Sequence, residues 1–125
     1  MIFHTIYKFL QDIYSFYRIL TLEEVSIIGT NAECNDLNEL YKLTPKEQET
    51  LIDWVIDNIH SIKGFNDQHT SYSLKHLFES WEKGFYITNG AFKGAMLECE
   101  YRVKDKTITN WIFNISQRSL CFRKK

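Results

Sequence analysis

Three runs decide the fold: Thr70-Ser-Tyr-Ser-Leu-Lys-His-Leu-Phe-Glu79, Gly84-Phe-Tyr-Ile-Thr-Asn-Gly-Ala-Phe-Lys-Gly-Ala-Met-Leu97, and Tyr101-Arg-Val-Lys104 followed by Trp111-Ile-Phe-Asn-Ile-Ser116. In the first, Leu74, Leu77, Phe78 and Trp81 fall at offsets 0, 3, 4 and 7, the buried stripe of a helix capped by Thr70 or Ser71 and ended by Gly84. Phe85-Tyr-Ile is a short apolar link able to form a small extra strand. In the second, Thr88 or Asn89 caps a helix whose Phe92, Ala95, Met96 and Cys99 repeat the same offsets. That phase turns Asn89, Gly90, Lys93, Gly94 and Glu98 to solvent. Two exposed glycines cost about 1 kcal/mol each relative to alanine, unless something approaches the backbone closely there. In the third, residues 101–104 and 111–115 alternate with period two, with Trp111, Phe113 and Ile115 on one face. A hairpin follows, its tip at Lys104-Asp-Lys106. The expected fold is α+β, a winged helix-turn-helix of three helices plus a C-terminal β-hairpin.

Upstream, Thr44-Pro45-Lys46-Glu47 carries an N-cap, a proline at the first helical position and a capping box. Leu51, Ile52, Val55, Ile56 and Ile59 give that helix its apolar face, to about His60. Residues 21–43 are acidic and irregular, broken at Gly29-Thr-Asn. Residues 2–20 form an apolar helical extension, with His4, Lys8, Gln11, Ser15 and Arg18 on one narrow polar stripe. Its cover is the domain itself, a membrane surface, or a second copy meeting a seam of Phe3, Tyr7, Leu10, Tyr14 and Tyr17, which repeats in a heptad-like pattern. The chain thus divides into an extension (1–43), a winged-helix-like domain (44–118) and a basic tail (119–125) expected to fray.

The 125 residues suffice for one domain, and 15% aromatic content is more than a small core ordinarily needs. The formal net charge of −1 conceals an asymmetry. Residues 1–82 hold 6 Lys+Arg against 13 Asp+Glu, a net of −7; residues 83–125 hold 9 against 3, a net of +6. The halves either neutralise each other when packed, or the C-terminal half faces a polyanion. Three cysteines, Cys34, Cys99 and Cys121, are widely spaced and form no Cys-x-x-Cys, which fits a reduced, cytoplasmic setting. Lys8, Asp12 and Arg18 interrupt the apolar N-terminus, so neither a transmembrane span nor a signal peptide is expected.

For function, the pattern points to DNA. A reading helix needs short polar or basic residues near its start, here Asn89 and Lys93. Phosphates need cations from a wing and tail, here Arg102, Lys104, Lys106 and Arg118. Glu98 and Glu100 oppose such contacts. No enzyme is expected. His60, His69 and His76 match no metal-ligand spacing, no nucleophile is placed, and no metal or cofactor is called for.

On the quoted runs, over about residues 44–118, the chain resembles small prophage and mobile-element proteins of low-GC Gram-positive bacteria. It is also similar in layout to the winged-helix modules at the C-termini of phage primase-helicases. Before Tyr101, where that pattern commonly has glycine, stands Glu100. The resemblance implies a bacterial or phage setting and a nucleic-acid-related role without catalytic residues. The alternative expectation is a phage-type interaction module that inhibits or redirects a host protein, motivated by the aromatic excess and the acidic front.

Overall fold

A computed structural model describes residues 33–123. Within them lie three α-helices, α1 (Pro45–Asn58), α2 (Ser71–Ser80) and α3 (Asn89–Glu98), and two 3-10 helices, Leu37–Lys42 and Leu120–Phe122. The dimer seam Phe3, Tyr7, Leu10, Tyr14 and Tyr17 lies outside the described residues.

The helix starts follow the local chemistry. Thr44 and Glu47 close a capping box around Pro45, Thr70 and Ser73 close another, and Thr88 Oγ1 accepts from the Ala91 N–H. The end of α3 is a Schellman motif: Glu100 N–H donates to Leu97 O and Tyr101 N–H to Met96 O. Such a closure needs a left-handed residue, and Glu100 supplies it at φ 65°.

The expected winged helix is not what forms. No β-strand exists among the described residues; residues 101–116 carry only two isolated antiparallel bridges, Val103 with Phe113 and Ser61 with Ile115. The reason is visible at Asn114. Its side-chain oxygen accepts the Arg102 N–H at 2.7 Å and its amide donates to Ile62 O at 3.2 Å, where a ladder would use backbone. Residues 111–116 instead run as an extended spine. Ile62, Asn66 and Ser71 N–H groups bond to its carbonyls on one side, and Lys104 N–H on the other. The period-two face holds all the same: Trp111, Phe113 and Ile115 are buried with Leu51, Val55, Leu74, Phe78 and Phe92 in one core.

The largest surprise is α3. Its first eight residues, Asn89 to Met96, are all buried. The 3-10 helix Leu37–Lys42 and the residues before it lie across the face expected to meet solvent. A Cβ on Gly90 would collide with Asp36 O, and one on Gly94 would come within 2.8 Å of Leu37 O. The close approach that two costly glycines imply is therefore made by the chain itself. Leu40 and Tyr41 join the core, so residues 33–43, assigned above to the extension, pack with the domain. The tail is held as well: Ser119 is fully buried and takes the His60 N–H on its Oγ, and Phe122 stacks on His69 with centroids 3.8 Å apart. No helix among the described residues is long and apolar enough to cross a membrane.

Candidate functional site

Burying α3 removes it as a reading helix, because a helix surrounded by its own domain cannot enter a groove. The six residues expected at nucleic acid divide accordingly. Asn89 and Lys93 are buried, at 7% and 4% exposure. Arg102, Lys104, Lys106 and Arg118 are exposed. Arg102 lies over the Phe65 ring and donates to Lys63 O, and Lys104 pairs with Asp67 at 2.7 Å. Both therefore border the loop of residues 62–69, and Gln117, next to Arg118, bonds Asn66 and His69 of the same loop. Lys93 is on none of that surface.

Another place draws the quoted runs together. The polar stripe of α2, Tyr72, His76, the buried Lys75 and the half-buried Glu79, forms one wall of a cleft of about 500 Å³. Tyr86, Thr88 and Asn89 come from the start of α3, Thr109 and Asn110 from the end of the 104–110 loop, and Cys34 and Asn35 from beside the first 3-10 helix. Tyr72 and Tyr86 remain 49% and 74% exposed, and each presents its ring to the Lys75 ammonium, at 5.3 and 5.2 Å.

Lys75 is neutralised in place by both Glu79 oxygens, at 3.1 and 3.0 Å. Glu79 also accepts the Ile87 N–H at 3.1 Å and lies 3.0 Å from His76 Nδ1. Burial works to raise the Glu79 pKa, but the Ile87 N–H, Lys75 and His76 outweigh it and hold the carboxyl below its ordinary range. Lys93, behind the cleft-lining Thr109, has no such partner: it forms no ion pair with any described residue. Its ammonium donates to Thr109 O at 3.0 Å and sits 4.5 Å from the Trp111 ring centre. Burial pushes its pKa down. A backbone carbonyl and an aromatic face stabilise the charge without cancelling it.

In comparisons with protein-family models, curated proteins and solved structures, no match was found. No group of three or more His, Cys, Asp or Glu able to hold a metal occurs among the described residues. Burial pushes the Cys99 thiol up to about 12 and the Cys121 thiol up to about 11, so both are poor nucleophiles.

Sequence reasoning missed Tyr72, Lys75, His76, Glu79 and Tyr86. The signal was available for four of them. Offsets 0, 3, 4 and 7 from Tyr72 mark a second stripe on α2, polar and aromatic, opposite the apolar one.

Proposed function

We propose that this chain is a non-catalytic nucleic-acid-binding protein that takes a single strand in the Tyr72–Tyr86 cleft. The observation that carries the reading is Lys93, a buried ammonium with no ion-pair partner among the described residues, bonded to the carbonyl of the cleft-lining Thr109. An uncompensated charge in a low-dielectric interior is expensive, and an anionic ligand above it relieves that cost. Two further features fit. Exposed tyrosines flanking the cleft offer ring faces to bases, and base–aromatic stacking contributes about 1–3 kcal/mol per base whatever the sequence. The 104–110 loop, which reaches the cleft at Thr109 and Asn110, also carries the exposed Lys106 for a neighbouring phosphate, whereas Lys104 is paired with Asp67 on the 62–69 surface.

The test is fluorescence anisotropy at low salt with a labelled 12-mer, as single strand and as duplex. The single strand binds, and binding weakens as salt rises because counterions are released. Tyr72→Ala with Tyr86→Ala lowers affinity at least about tenfold without unfolding the chain, since both rings are exposed. Absence of single-strand binding at low salt overturns the proposal and leaves a protein partner as the next reading. Tyrosines of this kind anchor such interfaces too.

A further inference from the structure

We infer that a strand longer than the cleft leaves it along the 104–110 loop and lays its phosphates on a second surface, where Lys63, Arg102, Lys104 and Arg118 gather at the 62–69 loop; this rests on the single-strand reading above. If the acidic front and basic back of the chain neutralised each other by packing, the C-terminal cations would sit on carboxylates. They do not. Of the Lys and Arg between residues 83 and 123, only Lys104 has a carboxylate partner among the described residues.

The 62–69 loop collects these cations from three stretches of chain. Arg102 donates to Lys63 O, and its guanidinium lies over the Phe65 ring, 5.3 Å from the centroid. Those contacts hold the exposed fork in place, so less freedom is lost when it meets a phosphate. Lys104 reaches Asp67 at 2.7 Å. Gln117 Oε1 bonds Asn66 Nδ2 at 3.0 Å and His69 Nε2 at 2.9 Å, which brings the neighbouring Arg118 to the same loop. Residues 62–69, 101–110 and 116–123 carry two acids, Asp67 and Asp105, against Lys63, Arg102, Lys104, Lys106, Arg118 and Arg123. Asp105 is turned onto Thr107, whose N–H and hydroxyl donate to it. The 104–110 loop joins this surface to the cleft, since Thr109 and Asn110 line the one and Lys104 stands on the other. Lys104 and Thr109 are five residues apart, hence no more than about 18 Å. At about 3.4 Å per stacked nucleotide, that is about five nucleotides at most.

The experiment titrates labelled dT4, which the cleft alone accommodates, and dT12, long enough for both places, against the full chain by anisotropy at several salt concentrations. Arg102→Gln with Arg118→Gln lowers dT12 affinity about tenfold or more and reduces its salt slope by about 1.4, two phosphates at about 0.7 each. The same variant changes dT4 affinity by less than about twofold, while its thermal midpoint shows it folded. Asp67→Asn removes the one acid that competes for Lys104, at an exposed position where the fold is not at stake, and raises dT12 affinity about two- to fivefold without strengthening dT4. If dT12 loses nothing in the arginine variant, or loses no more than dT4 does, the second surface is overturned and the single-strand reading stands. An Asp67→Asn chain that binds dT12 no better than wild type overturns it as well. Binding of dT12 without measurable binding of dT4 overturns the division between cleft and surface. Binding of neither oligomer sinks the reading beneath it.

Discussion

Lys93 makes opposite demands on stability and on binding, and that separates its roles. Replacing a buried ion with an apolar side chain of similar volume is often neutral or stabilising by about 1–4 kcal/mol. Lys93→Met therefore holds or raises the melting temperature while weakening single-strand binding and lowering its salt slope by about one. Glu100 yields a second prediction. A non-glycine residue in the left-handed region costs about 1 kcal/mol or more, so Glu100→Gly stabilises the chain by about that amount, readable as a shift in the urea midpoint. The thiols and Tyr101 set the alkaline limit. Burial pushes Cys99 from 9.0 to about 12, Cys121 from 9.0 to about 11 and Tyr101 from 10.0 to about 12. Each keeps its proton longer folded than unfolded, so its contribution is whole below about pH 9 and is lost as pH climbs towards 12. Lys93 works the other way, because its folded pKa lies below 10.5 and stability from that group grows with pH. Urea midpoints measured between pH 8 and 10.5 should fall, less steeply in Cys99→Ala with Cys121→Ala and more steeply in Lys93→Met.

At the level of elements, α3 was legible as a helix and illegible in its surroundings. Thr88, the apolar offsets and the two glycines all stand in the sequence, and the glycines even announce a close neighbour. What the sequence withholds is which neighbour, because residues 33–42 are short, acidic and without helical periodicity. Leu37–Lys42 becomes ordered by packing, not by propensity. The prediction is that Gly90→Ala destabilises despite alanine's better helix propensity. The gain of about 1 kcal/mol in an exposed helix is overtaken by a clash with Asp36 O that moves backbone and costs about 1–3 kcal/mol or more. A Gly90→Ala variant with a raised urea midpoint would mean that the strap over α3 is loose. The hairpin failed for a related reason. Alternation reports which face is buried, and it did so for Trp111, Phe113 and Ile115. It says nothing about whether backbone or an asparagine side chain satisfies the neighbouring strand.

For the molecule as a whole, the three helix starts and most of the core could be read in advance, since capping boxes and apolar stripes are local signals. The site could not, because its walls come from four separate stretches of chain and meet only through packing. The tail belongs to this scale too. A chain ending at residue 116 loses the Ser119 hydroxyl from His60 N–H and the Phe122 ring from His69, and it should lose about 2–4 kcal/mol in urea unfolding. The Asn114 contacts bear on solubility. Trp-Ile-Phe-Asn-Ile is the kind of aromatic and β-branched run that templates intermolecular stacking when its flanks are open. Here the flanks are closed, by residues 61–71 on one side and by 102–104 on the other, with one carboxamide clasping both. A side chain that spoils a sheet within the monomer thereby withholds an edge from its neighbours in a crowded solution.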